Sequence, residues 1–310
     1  MATENNKKGD SSKDSKSIAN GGDGKEEKKK QKQEDIDNEL ENSESTDDNR
    51  AKTHGEILKQ QIIEGQETYD RSSSSILLSS LTAGLEIGFS YLMLCAVFYF
   101  FTDKVSEETV FKIIAFVYPI GFILVILGQS ILFTEQTSLL SLPVLNKKRS
   151  LGSLLKLWGL VVIGNLMGGY LMSFLMVWIG PELEIFTLDS IEKIAVHVTK
   201  AESFVIFISA ILAGWLMGLL SWLLTSSQDT MSRIIIIYIV TAVMAFTGLH
   251  HSIIGNVEVF AGLISSPNIT LADYVSFESL ALIGNAVGGA VFVALLKYRA
   301  FVYNINSVSS

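Results

Sequence analysis

The apolar residues divide the chain into two parts of different character. Up to about residue 71 the sequence is polar, with runs such as KEEKKKQKQED and ENSESTDD, and six long apolar stretches then follow one another. These stretches cover residues 76–101, 111–145, 155–179, 203–225, 233–264 and 277–296. A helix that crosses a bilayer needs about 20 mostly apolar residues. The pattern therefore predicts an all-α membrane protein with six transmembrane helices.

Two of the six stretches are too long for one simple span, and both contain polar clusters. Residues 111–145 include GQSILFTEQTSLLSLP, and residues 233–264 include GLHHSIIGNVEVF. Irregular backbone at membrane depth must be buried in protein or line a watery cavity, because lipid cannot satisfy the freed N–H and C=O groups. We therefore predict that helices 2 and 5 are broken. Helix N-termini at such breaks present positive dipole ends, which suit a small anion.

The second half of the chain repeats features of the first half. GNLMGGY at 164–170 matches GNAVGGA at 284–290, and the same offset superposes the two polar clusters. AGLEIG at 83–88 matches AGWLMG at 213–218. Three spans per half is an odd number, so the sequence predicts two inverted three-helix repeats with a translocation site between them. We interpret the glycine pairs as close helix contacts.

The charges between the stretches alternate in sign. The loop NKKRS follows the second stretch, Arg233 stands at the start of the fifth, and Lys297 and Arg299 follow the sixth, whereas the other loops are acidic. Basic loops of membrane proteins stay in the cytoplasm. The alternation therefore predicts six spans in an integral membrane protein of the cell or inner membrane, with both termini cytoplasmic.

The polar first part determines the predicted domain boundaries. Residues 1–71 hold 13 of the 24 Lys/Arg and 18 of the 32 Asp/Glu residues, so they cannot bury enough apolar surface to fold alone. We predict a disordered cytoplasmic tail at 1–54, an amphipathic cytoplasmic helix at 55–75, the six-span domain at 76–300 and a short cytoplasmic tail at 301–310. The single cysteine excludes a disulfide framework, and we predict no metal, cofactor or nucleic-acid partner.

Several motifs resemble those of the formate/nitrite transporter family. They are LFTEQT in the second stretch, H-S-I-x-x-N in the fifth and GN-x-x-GG in the third and sixth. The resemblance covers about residues 72–300 and is strongest for the branch with an acidic residue after the LFT element. It implies an aquaporin-like protomer with its own pore, assembled as a homopentamer in the lipid bilayer. It also implies transport of small monovalent anions such as formate, nitrite or hydrosulfide, with or without a coupled proton.

The resemblance also implies which residues line the pore. The central histidine of the family maps to His251, which precedes the S-I of the motif, and the loop threonine maps to Thr134. The apolar constriction maps to Leu132 and Phe133 on one side and to Leu249 on the other. An intramembrane histidine is costly and is a functional candidate by default.

Five further polar residues complete the candidate site, and some depart from the family pattern. His250 stands where the family often has an acidic or small residue, and we expect it to have a structural or secondary role. Glu135 and Glu258 replace neutral residues of the best-known members. Asn256 belongs to the H-S-I-x-x-N motif, and Lys200 is a loose counterpart of a vestibule lysine.

Two other classes of function are compatible with the broken spans. A channel for small neutral solutes or cations could use the same fold, although the paired N-P-A signature of water channels is absent from both breaks. An intramembrane metal enzyme could use His250, His251 and Glu258, but the chain lacks an H-E-x-x-H motif, and adjacent histidines on a regular helix cannot converge on one ion. We therefore predict a transport protein rather than an enzyme.

Overall fold

The structure, a computed structural model, describes residues 20–43 and 51–308, and every regular element in these ranges is a helix. The helices are α1 (Asn20–Asn42), α2 (His54–Asp70), α3 (Ser73–Phe101), α4 (Glu107–Ile114), α5 (Pro119–Leu127), α6 (Phe133–Leu145), α7 (Leu151–Glu182), α8 (Leu188–Thr199), α9 (Ser203–Ser226), α10 (Thr230–Phe246), α11 (Ser252–Ser265), α12 (Leu271–Val287) and α13 (Leu296–Val308). A π-helical stretch, Gly288–Leu295, joins α12 to α13 without a break.

Five helical segments within the described residues are long and apolar enough to cross a membrane. They are Ser73–Phe101, Glu107–Leu127, Leu151–Glu182, Ser203–Ser226 and Leu271–Ile305. The predicted fifth stretch forms two shorter apolar helices, α10 and α11, neither of which is long enough alone. The prediction of an all-helical membrane protein is confirmed for the described part of the chain.

The helices end where the two long stretches become polar. α5 ends at Leu127 and α6 begins at Phe133, and the connecting segment includes Gln129 in the left-handed region, with a φ of 58°. α10 ends at Phe246 and α11 begins at Ser252. Gly248 turns the second connection with a φ of 70°, a value that glycine adopts readily.

The polar N-terminal part differs from its prediction. Residues 20–42, within the tail predicted to be disordered at 1–54, form α1, and the amphipathic helix predicted at 55–75 is α2. Ile36 and Leu40 lie four residues apart on α1 and belong to one buried cluster with Leu58 and Phe301. A single apolar stripe therefore docks a helix whose composition is otherwise polar. Residues 1–19, 44–50 and 309–310 of the predicted tails lie outside the described residues.

The two ends of the bundle carry different helices. α2 lies at the end where α9 finishes, since Lys52 Nζ donates to the Thr225 carbonyl at 2.7 Å. α8 lies at the opposite end, where Glu192 accepts a hydrogen bond from the Ser266 hydroxyl at 2.8 Å. We call these ends the α2 side and the α8 side. The main apolar core lies between them and contains buried side chains of α3, α5, α7, α9 and α11.

Two helix pairs approach closely at glycines. A Cβ atom on Gly84 of α3 would collide with the Asn165 carbonyl of α7, and one on Gly214 of α9 would collide with the Asn285 carbonyl of α12. This agrees with our interpretation of the glycine motifs as close helix contacts. The contacts bring both asparagines to the level of the helix breaks.

Candidate permeation site

The N-terminal ends of α6 and α11 meet inside the bundle through one hydrogen bond. His251 Nε2 lies 2.7 Å from Thr134 Oγ1, and the two side chains are only 2% and 0% exposed. His251 is also the N-cap of α11, and its Nδ1 accepts from the Ile254 N–H at 3.5 Å. On this basis we assign the proton to Nε2, which donates to Thr134. Two positive helix ends therefore converge on a neutral histidine.

Asn165 of α7 anchors the first break. Its Oδ1 accepts from the Phe133 N–H at 2.8 Å, which is an otherwise unpaired donor at the start of α6. Its Nδ2 donates to the Ser80 carbonyl at 2.7 Å and to the Ile131 carbonyl at 2.9 Å. One fully buried side chain thus pairs two backbone groups of the interruption, the Phe133 N–H and the Ile131 carbonyl, and ties them to the Ser80 carbonyl of α3.

Asn285 of α12 anchors the second break in the same way. Its Oδ1 accepts from the Ser252 N–H at the start of α11, at 2.8 Å. Its Nδ2 donates to the Ala210 carbonyl at 2.7 Å and to the His250 carbonyl at 3.1 Å. The two anchors occupy equivalent positions in GNLMGGY and GNAVGGA.

Two serines, Ser79 and Ser209, also make equivalent contacts with the two breaks. Ser79 Oγ accepts from the Ile131 N–H at 3.2 Å, and Ser209 Oγ accepts from the His250 N–H at 3.1 Å. Our sequence reasoning missed all four anchors because it attributed the repeated motifs to their glycines. The shared asparagine of GN-x-x-GG was the available signal.

A cavity of about 770 Å³ extends from the second break towards the α8 side. Five of the predicted residues line it, namely Leu249, His250, His251, Glu258 and Lys200. The His250 ring is fixed on its wall, because Nδ1 lies 2.8 Å from Ser209 Oγ and Nε2 donates to the Val198 carbonyl at 3.1 Å. His250 is thus bonded to Ser209 and Val198, whereas His251 is bonded to Thr134 and Ile254.

Three of the other predicted residues lie away from this cavity. Leu132 is fully buried at the start of α6, and the Phe133 ring packs edge-on against Trp158 with centroids 5.9 Å apart. Asn256 accepts from the Tyr274 hydroxyl at 2.7 Å. The structure therefore does not bring these side chains to the cavity wall.

The remaining predicted residue, Glu135, lies on the other side of the His251–Thr134 hydrogen bond. It follows Thr134 on α6, which runs towards the α2 side, and it interacts electrostatically with Arg233 and Glu64. The two candidate carboxyl groups, Glu135 and Glu258, therefore lie on opposite sides of the meeting point of the two helices.

His197 of α8 is a further cavity residue that the sequence did not indicate. Its ring stacks on Phe111 with centroids 3.5 Å apart, and Lys200 Nζ donates to its Nδ1 at 3.0 Å. Burial lowers the pKa of His197 to about 4, and the charges of Lys200 and Lys112 act in the same direction. The neutral ring therefore holds the lysine at the outer part of the cavity.

We expect His197 to make the fold sensitive to acid. Because its pKa in the folded state is lowered, its contribution to stability is complete above about pH 6.5 and is lost as the pH falls towards 4. His197→Gln should reduce this loss, so its unfolding temperature should fall by a few degrees less than that of the wild type over this range. Thermal unfolding in detergent at both pH values checks this, and equal falls in the two proteins would contradict it.

These features define a helical membrane protein of the transporter and channel class, with a polar meeting point of two broken helices at its centre. The chain belongs to the formate/nitrite transporter family, since the formate/nitrite transporter family model matches residues 55–299. The resemblance of the motifs to this family is thereby confirmed.

Two relatives show how far the similarity extends. The inner membrane protein YfdC of Escherichia coli (strain K12) is 29% identical over 241 residues, which cover 76% of this chain and 74% of YfdC. The formate channel BtFdhC of Bacillus thuringiensis is 28% identical over 189 residues, which cover 60% of this chain and 71% of the relative. The first relative agrees with the apolar helices in indicating an integral membrane protein.

Solved structures show the same fold at lower identity. An FNT family ion channel superposes with a TM-score of 0.70 at 22% identity, covering 79% of this chain and 98% of that one. A pentameric formate channel with formate bound superposes with a TM-score of 0.65 at 18% identity, and the match covers 74% of this chain and 98% of that channel. The family and these neighbours are transporters and channels, so the chain is not an enzyme and the metal-enzyme alternative is discarded.

Proposed function

We propose that the chain carries small monovalent anions of the formate, nitrite or hydrosulfide class across a lipid bilayer through a path within each protomer. The observation that carries this proposal is the 2.7 Å contact between His251 and Thr134 where the N-termini of α6 and α11 meet. Two positive helix ends and an imidazole N–H attract an anion and disfavour a cation. A bare charge is costly in an apolar constriction, so a proton that neutralises the anion is part of the proposal.

The proposed architecture has six membrane crossings arranged as two inverted, aquaporin-like repeats. Helices α4 to α6 make the second crossing, and α10 with α11 makes the fifth. The matched anchors Asn165 and Asn285 support this arrangement, because they hold the two breaks through equivalent backbone contacts. The basic segment 147–149 lies beyond α6 on the α2 side, which supports a cytoplasmic location for that side and for both termini.

The proposed assembly is a homopentamer. Large apolar side chains are exposed along the outer helices, for example Phe174, Trp178 and Phe204, and such a surface suits lipid or neighbouring copies. One structural neighbour is described as a pentameric channel. Within each protomer, we propose that Leu249 narrows the path beside His251 and that Lys200 attracts anions to the α8-side cavity.

Uptake into liposomes tests the function. Purified protein should admit labelled formate, nitrite or hydrosulfide in a saturable way, with uptake well above that of protein-free liposomes and rising at acidic pH. Uptake of an uncharged solute such as glycerol without any anion uptake would favour the neutral-solute alternative. Uptake of a monovalent cation in place of anions would favour the cation alternative.

A further inference from the structure

Glu258 is a buried carboxyl group that has no hydrogen-bond or ion-pair partner among the described residues. It lies on α11 two helical turns beyond His251, is 7% exposed and borders the cavity that reaches the α8 side. Its carboxyl makes no hydrogen bond or ion pair with another residue in the described part of the chain. A buried carboxylate without a cation beside it has a large desolvation cost, which a proton removes.

The groups that face Glu258 leave it available for proton exchange. Its electrostatic neighbours on the adjoining elements are Tyr91, Cys95 and Tyr118. The other titratable groups on the cavity wall are His250, His251, His197, Lys112, Lys200, Glu107 and Glu108. None of these groups bonds to the carboxyl, and the cavity connects it to the exposed side chains at the outer end.

The central histidine is less available for the same task. Its Nε2–H is engaged by Thr134, and its Nδ1 receives the Ile254 N–H. Protonation of Nδ1 would break the helix cap and place two N–H groups against each other. An anion that enters from the α8 side therefore meets a free carboxyl before it meets a histidine whose ring nitrogens are both occupied.

We propose that Glu258 is the proton donor to the permeating anion on the α8 side. The O–H bond of its carboxyl breaks as an O–H bond forms on the anion, and the neutral acid then passes the His251–Thr134 contact. The carboxylate left behind takes a proton from hydronium in the cavity water, so charge and protons balance. This role rests on the proposed anion transport, and it makes Glu258 the residue that couples transport to protons.

The chain offers a matched control for this carboxyl. Glu278 of α12 is 5% exposed, and both of its carboxyl oxygens lack a hydrogen-bond partner among the described residues. It does not line the cavity. Glu278→Gln therefore removes an equally buried carboxyl from the same protein without touching the path, while Glu258→Asp keeps an acid at the proposed position.

The test measures labelled formate uptake by liposomes between about pH 5 and 8. Glu258→Gln should lower uptake by about tenfold or more near neutral pH, with uptake approaching the wild type at the acidic end, where solvent supplies the proton. Glu258→Asp should retain most of the activity, and Glu278→Gln should follow the wild-type pH profile. All four proteins should elute from size-exclusion chromatography at the same position.

Each contrary result has a distinct meaning. Wild-type liposomes that take up no formate, nitrite or hydrosulfide would overturn the proposed function together with this role. Wild-type uptake that Glu258→Gln leaves unchanged at every pH would overturn only the role of Glu258. Faster uptake in Glu258→Gln at every pH would also overturn it, since the carboxylate would then be a barrier to anions rather than a proton donor.

Discussion

Replacing His251 by alanine is expected to lower anion uptake by about a hundredfold or more. The substitution removes the imidazole N–H at the point where α6 and α11 meet, and it leaves Thr134 without its partner. The permeating molecule would then cross the centre of the protein without a preorganised hydrogen-bond donor, in buried surroundings where such a donor is worth most. Labelled formate uptake by liposomes that contain equal amounts of each protein measures the effect.

A second variant separates this loss from a folding defect. His251→Asn keeps a side-chain acceptor for the start of α11, because asparagine is a good N-cap residue. It removes the ring that reaches Thr134. We expect both variants to lose uptake and His251→Asn to retain more of the wild-type unfolding temperature. Uptake restored by asparagine would mean that His251 acts only as a helix cap.

Replacing Asn165 or Asn285 by alanine is expected to lower the free energy of unfolding by about 3 kcal/mol or more. Each side chain pairs one N–H and one carbonyl group at its break and ties them to a carbonyl of a neighbouring helix, so the two groups at the break would be left unsatisfied where water has little access. Denaturant unfolding in mixed micelles measures the change. The two variants should lose similar amounts, since their contacts correspond one to one.

Two comparisons make this prediction specific. Asn268 is exposed on a loop, where it donates to Glu192, and its replacement by alanine should change stability by less than about 0.5 kcal/mol. Asn165→Asp keeps an acceptor for the Phe133 N–H but loses both donated bonds, so it should not restore stability. An Asn285→Ala protein as stable as Asn268→Ala would contradict the anchoring role.

The breaks could be predicted from the sequence because their cause is local. A polar cluster such as GLHHSIIGN within an apolar stretch cannot continue as a lipid-facing helix. In the structure the helix is interrupted at this cluster, between the end of α10 and the start of α11. The anchors could not be predicted in this way. Asn165 and Asn285 act on backbone groups about 30 residues away, and only the packing of α7 and α12 brings them there.

The sequence also could not show which polar residue of α11 faces the cavity, because this too depends on helix packing. Asn256 and Glu258 lie two residues apart on α11, and residues at this spacing point to different faces of a helix. Both are polar and both were candidates, yet Asn256 bonds to Tyr274 whereas Glu258 borders the cavity. In helix α1, two apolar residues outweigh the overall composition. Ile36 and Leu40 pack a segment against the bundle although its composition predicts disorder.

The central claim is that anions pass through the cavity beside the break between α10 and α11. Leu249 lines this cavity next to His250 and His251, whereas Cys95, the single cysteine of the chain, is fully buried. The most direct measurement is therefore formate uptake by Leu249→Cys before and after an anionic methanethiosulfonate reagent, with the wild type as control. We predict that the reagent blocks uptake in Leu249→Cys and spares the wild type. Undiminished uptake after modification, verified by mass spectrometry, would contradict a path through this cavity.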